Sequence, residues 1–466
     1  MAVGRVSLLR PPNVLAGALP DRRGLPSSAA LSAAISTDSA VPVRWLTTAP
    51  VTPAGASPVR SLYVHVPFCA HKCEYCAFYS APPSGDVVNR YVAAVVRELE
   101  LVAPDCRPET VFFGGGTPSL LTLKQWETIL RAMERLNLLG AAEWTVECNP
   151  ATVSADKAKL LRDFGVNRVS MGVQSLDEQL LERLGRIHTR EQVFRSFDTL
   201  RAAGFDNLNV DLMFAIPGQT MAHWQRTLDE ALALGSEHLS SYEVIYEEDT
   251  PLFAQLKAGE FDVDEDLACD LYDALIDRSA AAGFRQYEIA NFARDRRGND
   301  HGSMTNDQES KAGELVIGNS SLDLPTFACR HNVGYWRGLD SYGLGPSASE
   351  YVRGLRAKNW SNTTLYCEQL EKGRRAKELA EALGPEARAG ELAAFGLRMN
   401  RGWGFAEFTE RTGHNLRAGW AAEMDELIRT GWAAETGGRF HLTRTGLRFA
   451  DTVAERFLRP EALGPV

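Results

Sequence analysis

The chain is poor in the residues that would give it away cheaply. Eight cysteines in 466 residues are too few for a disulfide scaffold, so a reducing compartment with metal or redox use of clustered thiols is expected. No uninterrupted apolar run approaches the length of a bilayer-spanning helix, which excludes an integral membrane span. Basic excess is missing as well. A net charge of -10 argues against a dedicated nucleic-acid binder, whose surface must displace counterions from phosphates. Lysine is absent before residue 61, where six arginines face only Asp21 and Asp38 among many alanines and serines. That composition predicts an organelle transit segment over residues 1–60. A secretory signal lacks its apolar run here, and plain disorder is the bland alternative. Arginine with scattered leucine favours a mitochondrial matrix presequence over a plastid one.

From residue 62, β-branched runs alternate with segments of helical period, the pattern of a parallel sheet wrapped by helices. Strands are expected at LYVHV from Leu62, TVFFGG from Thr110, EWTVEC from Glu143, RVSMGV from Arg168, NLNVDLMF from Asn207 and HLSSYEVI from His238. Six such strands predict an α/β fold, a partial parallel (β/α)6 barrel over 61–293. Thr122 with Gln125, Ser175 with Glu178 and Thr189 with Gln192 have capping-box spacing, and Val88, Val92, Val95, Leu99 and Val102 form a core stripe. A polar stretch over 294–326 lacks either period and reads as a disordered insertion. A segment over 327–362 ends in turns, and 363–466 reads as a small winged-helix-like domain with a Gly437-Gly438 turn. Winged helices often bind DNA; the acidic background favours a packing or lid role.

What is present and unusual is CAHKCEYC, residues 69 to 76, in the loop after the first strand, where a parallel barrel carries its chemistry. Thiolates suit zinc, copper(I) or iron–sulfur clusters. Structural zinc closes with four ligands, and no second C-x-x-C pair exists, so a zinc loop would have to borrow a distant ligand. Three thiolates on a cubane cluster instead leave one iron open to a small molecule. Cys106, Cys148, Cys269 and Cys367 read as buried thiols.

Cys69, Cys73 and Cys76 in C-x-x-x-C-x-x-C form resemble the signature of the radical S-adenosylmethionine superfamily. The resemblance implies a 4Fe–4S cluster whose open iron chelates S-adenosylmethionine, with reductive release of a 5'-deoxyadenosyl radical. It also implies that Tyr75 packs near the adenine and that Gly115, Gly116 and Thr117 of GGGTPS meet the methionine amino group. Read alone, that glycine run is a turn, or backbone that can approach a ligand. Glu147, Gln174 and Asp211 are polar groups on apolar strands, each a barrel hydrogen bond or together a ligand site.

YVHVPFCAHKCEYCAF, NRVSMGVQS, LGRIHT and DLMFAIPGQT resemble more narrowly the branch containing oxygen-independent coproporphyrinogen III oxidase and HemW-type haem chaperones. That branch implies Tyr63 by the sulfonium, Glu147, Gln174 and Asp211 as cofactor contacts, and Arg186 on the methionine carboxylate; otherwise Arg186 is a solvated residue on a helix-ending turn. The oxidase has a further cysteine where this chain has Phe78, so the resemblance favours the chaperone. HNVGYW, His331 to Trp336, resembles that branch's H-N-x-x-Y-W motif, which makes His331 a candidate haem ligand, Tyr335 and Trp336 possible macrocycle contacts, and Cys329 a thiolate alternative. The bland reading is a strand end with a hydrogen-bonded histidine beside core aromatics. The expected function is transfer of haem cargo to respiratory acceptor proteins, with an electron donor as partner; the alternative is decarboxylation of coproporphyrinogen III.

Overall fold

A computed structural model of the chain describes residues 46–50, 52, 55–295, 314–317 and 320–459. Most of the expected presequence, residues 1–60, lies outside them, but its described end belongs to the folded body: Leu46 is buried, Arg375 N donates to Thr47 O at 3.0 Å, and Val59 and Arg60 open the first strand. Six parallel strands form the body of the sheet: β1 Val59–Val66, β2 Cys106–Gly115, β3 Glu143–Cys148, β4 Arg168–Gln174, β5 Leu208–Phe214 and β6 His238–Glu243. They neighbour one another in chain order, as short right-handed β/α connections require. The sheet does not close. The antiparallel strands β7 Arg285–Glu288 and β8 Asn291–Ala293 extend it beyond β6, and Tyr342–Leu344 pairs parallel with β1 at the other edge, making nine strands.

Helices cover the outer face. Val87–Val102 buries Val92, Val95, Leu99 and Val102, as its stripe predicts. Thr122 and Thr189 form the expected capping boxes, with Gln125 and Gln192. Ser175 does not. The cap of Glu178–Arg183 is Asp177, whose Oδ1 accepts from Gln179 N at 3.1 Å and Leu180 N at 3.2 Å. Glu178 instead accepts from Arg190 N at 2.8 Å, because a carboxylate two residues closer outcompetes the serine for the first-turn N–H groups. Thr220 with His223 makes a capping box that sequence spacing, screened for Glu or Gln, passes over.

The polar insertion is not wholly structureless. Strands β9 Glu314–Ile317 and β10 Ser320–Asp323 pair antiparallel, the short ELVI run having the β-propensity that the surrounding polar residues mask. The HNVGYW motif lies in a helix, Arg330–Trp336, and not at a strand end. Beyond it, Ser349–Val352, Leu355–Asn359 and Lys377–Ala382 form a separate antiparallel sheet.

The C-terminal unit is a helix, Pro385–Gly396, then three short helices, then the hairpin Ala433–Thr436 with Arg439–Leu442, joined by Trp403–Gly404 as a third strand. Gly437 and Gly438 both have positive φ, 57° and 71°, as the two-residue turn between those strands requires. The unit is fastened to the barrel helix Glu265–Ala281: Arg444 donates to Asp277 at 2.6 Å and Arg448 pairs with Asp273. Cys106, Cys148 and Cys367 are buried as expected, while Cys269 is half-buried. No helix among the described residues is long and apolar enough to cross a membrane.

Candidate functional site

The cysteine loop leaves β1 at Val66 and is pinned at several points. Cys69 N donates to Ala81 O at 3.2 Å, Glu74 N to Leu184 O at 3.1 Å, and Leu252 N to Glu74 O at 3.0 Å. All three thiols are free and half-buried. Cys69 Sγ lies 3.5 Å from Thr117 Oγ1, and Cys73 Sγ accepts from Arg186 Nη1 at 3.4 Å. Burial pushes the Cys76 thiol up to about 11, with Cys73 and Cys69 adding to the effect. Among the described residues, no group of three or more His, Cys, Asp or Glu side chains stands close enough to hold a metal ion, so the sulfurs are neighbours on one loop without being gathered. Thiols converge fully only when a metal replaces their protons and offsets their mutual repulsion.

The glycine segment serves the protein's own packing. A Cβ on Gly115, whose φ is +104°, would stand 2.4 Å from the His65 ring, and one on Gly116 would stand 2.7 Å from the carbonyls of Val66 and Phe68. Gly116 N donates to Val66 O at 2.8 Å and Thr117 N to Phe68 O at 2.7 Å, which stitches the end of β2 to the start of the cysteine loop. The missing side chains let the end of β2 meet the His65 ring and the backbone that opens the cysteine loop.

Around this seam stand the predicted polar groups. Glu147 Oε2 accepts from Gly115 N at 3.2 Å, and burial, then the Asp211 charge, pushes the Glu147 carboxyl up to about 8. Asp211 accepts from Ser170 Oγ at 3.0 Å and Asn209 Nδ2 at 2.8 Å, and burial raises it too. Arg186 Nη2 donates to Gly172 O at 2.6 Å, while its buried Nε has no partner among the described residues. It is therefore not a solvated turn residue. Gln174 takes a left-handed φ of 64°, a strained backbone that a non-glycine residue adopts at cost. Tyr75 packs against the apolar cluster of Leu180, Leu184, Met213, Ile216, Val244 and Leu252. Tyr63 Oη lies 3.1 Å from His65 Nδ1, and His65 Nε2 lies 2.9 Å from Tyr79 O. His65 was not singled out by sequence; its signal is a polar residue on the interior-facing row of an apolar strand.

His331 is placed elsewhere. Ser61, Thr110 and Glu143 are opposite one another in register near the start of β1–β3, and all three engage the Arg330–Trp336 helix. His331 Nδ1 lies 3.1 Å from Ser61 Oγ and 3.0 Å from Thr110 Oγ1; Glu143 accepts from His331 N at 3.0 Å and Arg330 N at 2.8 Å. The imidazole is 0% exposed, stacks on Phe112 at 5.2 Å, and is held neutral, down to about 3, by burial and then Arg168. Ser61 stands five residues before the end of β1, about 16 Å along that strand, while the His331 ring lies 6.4 Å from the Tyr63 ring. The His331 Nε2 is buried without a partner among the described residues. Cys329 is equally buried, and burial with the Glu143 charge pushes its thiol up to about 12.

Residues 63–231 match the Radical SAM superfamily and residues 383–449 the HemN C-terminal domain. The structure of coproporphyrinogen III oxidase (HemN) from Escherichia coli superposes with a TM-score of 0.70 over 86% of this chain and 90% of that one; at 20% identity the likeness shows the fold. Fold and matched region make this a radical S-adenosylmethionine protein. "Heme chaperone HemW" of Lactococcus lactis is 32% identical over 401 residues, 86% of this chain and 97% of that protein. "Radical S-adenosyl methionine domain-containing protein 1, mitochondrial" of Mus musculus is 36% identical over 304 residues, 64% of this chain and 62% of that protein. The chain belongs to the HemW family.

Proposed function

We propose that this protein binds haem and hands it to respiratory acceptor proteins, and that it carries a 4Fe–4S cluster on Cys69, Cys73 and Cys76 with S-adenosylmethionine beside it. The observation that carries the reading is the likeness, along nearly the full length of both chains, to a protein named as a haem chaperone. The donor set fits the cofactors. Three free, half-buried thiols on one loop at the strand ends offer soft ligands to three irons and leave the fourth to an exchangeable molecule. When bound, cluster and S-adenosylmethionine together supply reductive cleavage of a sulfonium bond.

The chain's own part is binding and orientation. Arg186, with two nitrogens committed and Nε open, would take the methionine carboxylate. Glu147 holds a proton to about pH 8, so it would donate a hydrogen bond as well as accept one. Asp211 and Gln174 would complete the polar wall, and Gly115, Gly116 and Thr117 the backbone edge. Tyr75 would lie against the adenine, and Tyr63 near the sulfonium. His331 has the right nitrogen for haem iron, but in this conformation nothing can approach it; ligation requires the Arg330–Trp336 helix to leave its seat on Glu143. The part of residues 1–60 that precedes the folded body would act as a presequence to the mitochondrial matrix, in line with the name of the vertebrate relative.

The test is an anaerobic preparation, reconstituted with iron and sulfide, given coproporphyrinogen III with S-adenosylmethionine and, separately, titrated with haem. Saturable haem binding without divinyl product is expected. Conversion to protoporphyrinogen IX, or no haem binding, overturns the proposal.

A further inference from the structure

A small cleft, about 60 Å³ in volume, opens on the outer face of the sheet between the ends of β5 and β6 and the start of the helix Glu265–Ala281. Tyr242 and Glu243 are successive residues of β6 and so point to opposite faces. Tyr242 feels the Asp211 charge inside the barrel, whereas Glu243 feels Asp451 and Glu265 outside it. The cleft opens on the face opposite the barrel interior, backed by Ile216 and Val244 of the apolar cluster that also packs against Tyr75.

Its floor holds two unanswered polar groups. Gln219, 4% exposed, accepts from Ile216 N at 3.4 Å through Oε1, which leaves its buried Nε2 with no partner among the described residues. Glu243, 7% exposed, has an equally unpartnered Oε2. A buried donor and a buried carboxyl oxygen, both lining one cleft and neither partnered, are costly unless something supplies the complementary pair. The rim states the sign of that something. Residues 260–270 carry Glu260, Asp262, Asp264, Glu265, Asp266 and Asp270 with no basic residue. Asp264 is used as a helix cap, accepting from Leu267 N at 2.9 Å, while Asp262 is exposed at the cleft. Burial, then the Asp451 and Glu265 charges, push the Glu243 carboxyl up to about 8, a penalty that an arriving cation reverses. Among the described residues no cluster here could hold a metal ion.

We propose that this cleft receives a lysine or arginine side chain from a basic peptide segment of another protein. The cation pairs with Glu243 and Asp262, and a peptide carbonyl next to it accepts from Gln219 Nε2. Tyr246 and the exposed Val263 flank the aliphatic stem.

The test is fluorescence anisotropy of the full-length protein with labelled Gly-Ala-Arg-Arg-Ala-Gly and its norleucine counterpart at fixed ionic strength. The arginine peptide is expected to bind saturably and the norleucine peptide not at all. Glu243→Gln, neutral and isosteric, is expected to weaken binding at least about tenfold, while Asp156→Asn, an exposed acid on a different helix, leaves it unchanged. A melting curve for each variant confirms folding. Absence of binding to the parent chain, equal binding by Glu243→Gln, or an equal loss in Asp156→Asn overturns the proposal.

Discussion

The two ends of this barrel are equally polar and chemically unlike. At the base, Ser61, Thr110, Glu143 and the His331 helix close on one another, and further round Asn209 Oδ1 lies 2.6 Å from His238 Nδ1, whose Nε2 lies 2.8 Å from Tyr287 Oη. At the mouth, three thiols are half-exposed, Arg186 keeps an open nitrogen, and Glu147 and Asp211 share a pocket that neither can ionise in freely. Polar residues on strands therefore do not by themselves mark a site. Open valence with access does, and only one end has both. The largest expected effect follows: replacing Cys69, Cys73 and Cys76 together by Ala abolishes iron and sulfide uptake on reconstitution, yet leaves the melting transition nearly in place, because none of the three lies in the core. A variant that keeps its iron breaks the comparison outright.

The base predicts the opposite balance. Glu143 answers two backbone N–H groups at the start of the Arg330–Trp336 helix and is itself 4% exposed. Glu143→Ala removes a cap and orphans buried donors, which costs about 2–4 kcal/mol in urea denaturation. The same variant is expected to make His331 reactive to an imidazole-acylating reagent that spares it in the parent chain. Unchanged stability would mean that the helix is not seated through Glu143.

Two buried groups, His331 and Glu147, respond to pH with opposite sign. His331, held down to about 3 from an ordinary 6.5, is uncharged when folded; unfolding lets it take a proton, so its contribution is full above pH 6.5 and is lost as pH falls toward 3. Glu147, held up to about 8 from 4.5, does the reverse: its contribution is full below 4.5 and is lost as pH rises toward 8. Each limb has a slope of at most about 1.4 kcal/mol per pH unit. His331→Asn should flatten the acid limb and Glu147→Gln the alkaline one, read from denaturation midpoints across pH; exchange of the two outcomes would refute the assignment.

Much of this was legible beforehand, for physical reasons. EWTVEC at Glu143 is a strand because β-branched and aromatic residues alternate there without a breaker, and it was observed over the same six residues. The cysteine spacing located the mouth because local spacing on one loop survives folding. What sequence could not show was depth. His331 sits beside Tyr335 and Trp336, a triad that reads equally as a surface motif or a plug, and only the register of Ser61, Thr110 and Glu143 reveals which. The open sheet was legible only in part, since the three-residue strand Tyr342–Leu344 is too short to carry a periodicity. Ser175 failed as a cap because spacing cannot rank two competing side chains.

The smallest effect tests the comparison at a single residue type. Phe112, 8% exposed, stacks on His331 at 5.2 Å at the base, while Phe78, 43% exposed, follows the cysteines at the mouth. Truncating a buried phenylalanine costs about 3–5 kcal/mol, and truncating an exposed one is usually within about 0.5 kcal/mol. Phe78→Ser should therefore leave the urea midpoint and the reconstituted iron content where they were, because its ring covers no core and donates nothing to the thiols. A loss of more than about 1 kcal/mol would mean that the ring is buried in the folded protein. The mouth would then be as closed as the base, and access would no longer distinguish the two.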